Sequence, residues 1–236
     1  MLDQARSRLA VALDLPTPDE ALRLARAVEL HVGVAKVGLE LFIAAGPSFV
    51  RELARGEQQV FLDLKLHDIP ETVARAVGQA CELGVSFLTL HAGGGRAMMT
   101  AAAKAAAGSN LTLLAVTVLT SLGEEGLGEL GVAGSVEAHV LALAQLAAAS
   151  GINGLVASPL ELTALKAALP ESFVVTPGIR PQGGTVARED QTRIATPASA
   201  IRAGASMLVV GRPLRDAPDR ASAARLLNHE VTGAMA

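Results

Sequence analysis

The sequence predicts an α/β fold, a closed parallel (β/α)8 TIM barrel, and three observations predict it. Short β-favouring runs alternate with longer helical stretches from end to end. The alternation recurs eight times at roughly thirty residues per unit, the repeat of a barrel of about 250 residues. Charged side chains also collect just after the strand-like runs, the face on which barrel enzymes build their sites.

The strand-like runs are Leu9–Leu13, Val34–Val37, Val60–Leu64, Phe87–Leu90, Leu111–Val118, Gly154–Ala157, Phe173–Thr176 and Met207–Val210. Between them lie Ala- and Leu-rich stretches at helical spacing, such as Val136–Ala149 and Ala221–Leu227. Several helix starts are marked chemically. Thr17-Pro18-Asp19-Glu20 and Ser158-Pro159-Leu160-Glu161 each offer a capping hydroxyl, a proline at the first helical position and a glutamate at the third. Asp68-Ile69-Pro70-Glu71 repeats the arrangement with an aspartate as the expected cap, and Thr196-Pro197 keeps the hydroxyl and the proline. An open doubly wound sheet is the competing layout. It is disfavoured because the first strand lacks a Gly-x-Gly-x-x-Gly turn and no Walker-type loop follows any strand. No linker or low-complexity segment interrupts the pattern, so residues 1–236 read as a single domain.

Composition narrows the function class. Half the residues are hydrophobic, with five Phe, no Trp and no Tyr, so the core must be aliphatic and rich in Ala. The single cysteine, Cys81, allows no intramolecular disulfide and fits a reduced, cytoplasmic setting. Leu9–Leu13 is too short for a secretory signal, and no apolar run reaches the length of a membrane span. Formal net charge is −3 and the Lys and Arg residues are dispersed, which leaves no footprint for nucleic acid or an anionic membrane.

The polar residues at strand ends carry the chemistry. Asp14 closes strand one, Lys36 interrupts strand two, Asp63 and Lys65 end strand three, and His91 follows strand four. Thr120 and Ser121 follow strand five, Gly178 and Arg180 strand seven, and Gly211 and Arg212 strand eight. In Phe61-Leu62-Asp63-Leu64-Lys65-Leu66-His67-Asp68, strand alternation puts Asp63 and Lys65 on one face and the three leucines on the other. The acid and the lysine therefore face the barrel mouth, with Asp68 just beyond. A partly buried ion pair that merely closes the barrel is the bland alternative. Lys36 weighs against it. On the neighbouring strand it can reach Asp63, and alternating ammonium and carboxylate groups keep one another ionised, so Lys65 is held with a proton to give.

A phosphate site is the second constellation. Pro177-Gly178-Ile179-Arg180 and Gly211-Arg212-Pro213 stand after strands seven and eight, where barrels commonly bind phosphate. The glycines let backbone N–H groups approach an anion, and Arg212 offers a planar fork of donors. Gly93-Gly94-Gly95 reads as a tight turn, and His91 as a residue that borders the site or supports it. His67 is no site candidate, His31, His139 and His229 read as surface, and Cys81, Met98 and Met99 as packing.

Taken together, these residues resemble the orotidine 5′-phosphate decarboxylase family, in its bacterial branch. Asp63-x-Lys65-x-x-Asp68-Ile69-Pro70 is similar to the family's signature. Ala12-Leu13-Asp14, Lys36-Val37-Gly38, Leu119-Thr120-Ser121, Thr176-Pro177-Gly178-Ile179-Arg180 and Val210-Gly211-Arg212 follow in the family's order, so the likeness spans nearly the whole chain. The resemblance implies a cofactor-free, metal-free homodimer that decarboxylates orotidine 5′-phosphate to uridine 5′-phosphate. It implies Lys65 as proton donor in a network with Lys36, Asp63 and Asp68, with Asp68 and Thr72 supplied by the neighbouring subunit. It further implies Asp14 and Lys36 on the ribose hydroxyls, Ser121 on the pyrimidine and Thr120 and Pro177 lining the pocket. Gln191, Gly211 and Arg212 would hold the phosphate, with Arg180 close by. A metal-dependent sugar-phosphate decarboxylase or epimerase can share the Asp-x-Lys-x-x-Asp strand. Ile69-Pro70 and the Gly211-Arg212 loop favour the nucleotide enzyme. A non-catalytic phosphometabolite sensor would need no proton donor at Lys65.

Overall fold

The computed structural model describes residues 2–181 and 194–235. Among them eight parallel strands close into a barrel in sequence order, β1 Leu9–Ala12, β2 Val34–Gly38, β3 Gln59–Leu66, β4 Phe87–His91, β5 Thr112–Val116, β6 Gly154–Val156, β7 Phe173–Thr176 and β8 Met207–Val210, with β8 pairing back onto β1. Parallel strands covered on both faces are expected to be apolar almost throughout, and β1 and β2 are buried at every position. Alternation divides the core in two. Ala10, Val34, Phe61, Phe87, Leu114, Val175 and Met207 fill the barrel interior, where Phe87 stacks on Phe173 with ring centroids 5.8 Å apart. Their strand neighbours, such as Val11, Ala35, Leu62, Leu88 and Val174, pack outward against the helices. Three of the five Phe thus fill the barrel's interior beneath its mouth.

Local chemistry sets the helix starts. α1 Leu2–Ser7 precedes the barrel, and Thr17 caps α2 Pro18–Val28 by accepting from the Glu20 N–H. α3 Leu39–Leu53 breaks at Gly46-Pro47, where Gly46 has φ 68°. The capping box at Ser158 forms, although it opens a 3₁₀ turn (Pro159–Glu161) that runs into α8 Leu162–Ala168. Thr196 caps α9 Pro197–Arg202 as the sequence predicts. At α4 Pro70–Glu82 the cap differs from expectation. Ile69, not Asp68, occupies the capping position, and the Asp68 carboxylate accepts from the Ile69 N–H at 2.6 Å. Proline at the first helical position imposes this, because its ring forces the preceding residue into extended geometry.

The glycine run after β4 forms a 3₁₀ turn leading into α5 Gly95–Ala106, whose Met98 and Met99 are buried. After β5 come α6 Glu124–Glu129 and α7 Val136–Ala148, and after β8 the short α10 Arg212–Arg215 and α11 Arg220–Ala234. Cys81 lies near the end of α4, half-buried against the core and 3.5 Å from the Ser109 hydroxyl. His229 is exposed, whereas His31 and His139 are half-buried. No helix among the described residues is long and apolar enough to cross a membrane.

Candidate active site

The barrel mouth opens into a cavity of about 840 Å³ whose floor is Phe61, Val156, Val175 and Val209 and whose walls mix apolar and charged side chains. Its charged rim is built strand by strand. Lys36 points inward from β2 and is 7 % exposed, with Nζ 3.1 Å from Asp14 Oδ1 and 3.6 Å from Asp63 Oδ2. Lys65 Nζ donates to Asp63 Oδ1 at 2.9 Å. The order Asp14–Lys36–Asp63–Lys65 therefore alternates in sign across three adjacent strands. Gly38 permits it, since a Cβ there would lie 3.0 Å from the Asp14 carboxylate and 3.2 Å from the Lys36 ammonium.

Burial pushes the Asp63 carboxyl up. The charges of Lys36 and Lys65, with hydrogen bonds from Lys65 and Thr89, more than offset this, so its pKa lies below the ordinary carboxylate value. Asp63 is thus ionised at neutral pH. Burial lowers the pKa of His91, and the charges of His67 and Lys65 lower it further against the opposing pull of Asp63. A neutral His91 leaves the network's charge to the lysines and aspartates. His67 and His91 face each other with ring centroids 5.4 Å apart, and neither lines the cavity.

The inward orientation of Asp63 and Lys65 is as the sequence predicts, but simple alternation does not produce it. Leu62 pairs with Leu88 and Leu66 with Leu90, so Asp63, Leu64 and Lys65 stand opposite Thr89 alone. β3 bulges here, and Lys65 adopts φ 50°, where no other non-glycine residue among those described lies at positive φ. Leu64 and Leu66 still pack outward on the core.

The residues read from the sequence as a phosphate site also line the cavity. Pro177, Gly178, Arg180, Gly211 and Arg212 line one side of the cavity, with Thr120 and Leu119 opposite the network. Gly178 has φ 79°, a geometry that disfavours any side chain there. A parallel bridge joins Ile179 to Ala195, and the Arg180 guanidinium donates to the Ile179 carbonyl at 3.0 Å. Gln191 lies outside the described residues. Ser121 is exposed and absent from the cavity wall, one residue past Thr120. Asp68 and Thr72 are exposed and do not enter this chain's own cavity. Among the described residues Asp68 makes no ion pair.

Two residues of the site escape the sequence reading. Arg215, the last residue of α10, lines the cavity, grips Asp216 through Nε at 2.7 Å and Nη2 at 3.0 Å, and reaches the Asp14 carbonyl at 3.4 Å. Its spacing three residues beyond Arg212 on one helical turn is the signal that could have found it. Thr89 is the other: a lone polar residue at an inward position of Phe87-Leu88-Thr89-Leu90. Among the described residues no cluster of His, Cys, Asp and Glu could hold a metal ion.

Comparison with known proteins agrees with this geometry. Residues 7–227 match the model of the orotidine 5′-phosphate decarboxylase / HUMPS family. The orotidine 5′-phosphate decarboxylase of Anaeromyxobacter sp. (strain K) is 53 % identical over 221 residues, covering 93 % of this chain and 96 % of that protein. That of Opitutus terrae is 51 % identical, covering 92 % and 95 %. The crystal structure of the enzyme of the same name from Lactobacillus acidophilus superposes with a TM-score of 0.84 at 36 % identity, covering 94 % of this chain and 98 % of that one. The chain therefore belongs to the orotidine 5′-phosphate decarboxylase family.

Proposed function

We propose that this chain converts orotidine 5′-phosphate to uridine 5′-phosphate and CO₂, the last step of UMP biosynthesis, with Lys65 delivering a proton to the ring carbon that loses the carboxylate. One observation carries the mechanism. Lys65 Nζ lies 2.9 Å from one oxygen of Asp63 while Lys36 faces the other at 3.6 Å, in a cavity that also holds a phosphate-type loop pair. The Asp63 carboxylate holds the Lys65 ammonium in place. When the carbon–carbon bond to the carboxylate breaks, its electron pair stays on the ring, and the ammonium stabilises that charge as it develops. The Nζ proton then moves to the carbon, and the neutral amine recovers a proton from water.

The remaining residues take the rest of the substrate. Asp14 and Lys36 would hold the ribose hydroxyls, Thr120 and Pro177 line the pocket, and Ser121 would meet the pyrimidine with the segment after β5 turned inward over substrate. Gly211 and Arg212, with Arg180 and Gln191, take the phosphate, whose binding energy can act at the reacting carbon. The whole chain serves as one domain, and the enzyme is cytoplasmic. Neither a cofactor nor a metal is required in this reading, since Asp63 already has two ammonium partners. Purified protein dialysed against a chelator should therefore consume the orotidine 5′-phosphate absorbance at an undiminished rate. No absorbance loss under any condition overturns the activity, and a loss that Mg²⁺ restores transfers the chain to a metal-dependent mechanism.

The functional unit is a homodimer with shared sites, in which Asp68 and Thr72 complete the neighbour's cavity. Their exposure beside the rim of their own barrel supports this arrangement. Lys65→Ala and Asp68→Ala subunits, each inactive alone, should complement when unfolded and reassembled together. A mixed two-fold dimer holds one intact site and one doubly damaged site. Random pairing makes half the dimers mixed, so activity should return to about a quarter of wild type per site. Mixed dimers that form but stay inactive would place Asp68 in its own barrel.

A further inference from the structure

We infer that Thr89 is a positioning residue for the decarboxylation, its hydroxyl fixing Lys65 and Asp63 relative to each other. The inference rests on the function proposed above and on four linked facts. The β3 bulge sets Asp63, Leu64 and Lys65 against Thr89 alone, which leaves the Lys65 backbone N–H without a ladder carbonyl on β4. The Thr89 hydroxyl accepts that N–H at 2.9 Å. The same hydroxyl donates to Asp63 Oδ1 at 2.9 Å, the oxygen that receives the Lys65 ammonium. Thr89 is fully buried, so no water can take over either bond.

Lys65 is consequently tied to Asp63 twice, once through its ammonium and once through its backbone by way of Thr89. The second tie matters because a β-bulge relieves a strand of its regular register and re-aims a side chain. Lys65 also sits at φ 50°, a conformation that non-glycine residues keep only when their surroundings over-determine it. A hydroxyl is the smallest group that both accepts and donates there. Valine has the same shape and can do neither. Loss of the hydroxyl leaves the Lys65 N–H and an Asp63 lone pair unsatisfied in a dry place, and the bulge must relax to find partners. A relaxation of a fraction of an ångström moves the proton donor, whereas the ribose and phosphate contacts lie on other strands and loops.

The test is therefore the split between turnover and binding. Thr89→Val should lower kcat for orotidine 5′-phosphate about ten- to hundredfold, while KM and the affinity for uridine 5′-phosphate change by no more than about threefold. Thr89→Ser, which restores the hydroxyl without the methyl group, should recover kcat to within about fivefold of wild type. Should Thr89→Val fail to fold, Thr89→Ala and Thr89→Ser decide the matter, because they differ by the oxygen alone. The serine variant should then turn over at least about tenfold faster. Three results overturn the assignment: an unaltered kcat in the valine variant, equal losses in the alanine and serine variants, or a loss that appears in KM alone. Wild-type protein assayed alongside keeps the two proposals apart. An inactive wild type removes the proposed function and this inference with it, whereas an active wild type beside a fully active valine variant removes only the role of Thr89.

Discussion

Lys65→Ala should bind uridine 5′-phosphate with near-normal affinity and lose turnover by about four orders of magnitude or more. The size follows from two roles lost at once. Removing a positioned general acid typically costs about a hundred- to ten-thousandfold. Removing a preorganised charge aimed at a developing anion costs about a hundred- to a thousandfold more. Binding survives because the groups proposed for ribose and phosphate, Asp14, Lys36, Gly211 and Arg212, stand on or just beyond other strands. The variant also leaves Asp63 with Lys36 as its remaining ammonium partner, 3.6 Å away, so part of the cancellation holding its carboxyl low disappears. Burial then weighs more heavily, so the Asp63 carboxyl should titrate at higher pH than in wild type. Single-turnover rates with saturating substrate, beside a titration with the product, separate the two effects. Turnover within tenfold of wild type would remove Lys65 as the donor.

Much of this architecture is legible in the sequence because parallel barrel strands carry a simple physical mark. Both faces are buried, so a charged residue within such a run stands out, and Lys36 in Val34-Ala35-Lys36-Val37 is recognisable before any coordinates. Asp63 and Lys65 are legible for the same reason, since their spacing of two and their place at a strand end both point to the mouth. What alternation cannot reveal is how they get there. A bulge is a property of two paired strands, and the register that sets Thr89 opposite three residues of β3 is encoded in neither strand alone. Thr89 reads in isolation as one polar residue in an apolar run.

Asp68 fails differently. Aspartate before Ile-Pro resembles a cap, yet proline fixes the helix start one residue later and turns the carboxylate onto its neighbour's N–H. Ser121 is nominated by its place after strand five and by family likeness, and its exposure here shows that adjacency to Thr120 does not itself bring a side chain into the cavity. Arg215 is hidden because a third arginine near a surface turn looks like solvation until its contact with the Asp14 carbonyl is seen.

Arg212→Ala should separate the phosphate from the reacting ring. Arg212 lines the cavity beside Gly211, Gly178 and Arg180, away from the Asp63–Lys65 pair. A planar guanidinium bound to a phosphate dianion makes charge-assisted bonds of roughly twice ordinary strength, so its loss should lower kcat/KM for orotidine 5′-phosphate about a hundredfold. The bare nucleoside, orotidine, has no dianion for Arg212 to hold. Its kcat/KM should change by no more than about threefold, because the network at Lys65 is untouched. The comparison is informative since the two substrates share the ring that reacts. If remote binding energy is used at the ring, part of the loss on the nucleotide will fall in kcat as well as in KM. Adding a free phosphate-like dianion to orotidine provides the complementary reading: any stimulation seen with wild type should weaken in the variant. An equal penalty on nucleotide and nucleoside would instead make Arg212 a structural residue of the α10 turn, whose removal deforms the whole mouth of the barrel.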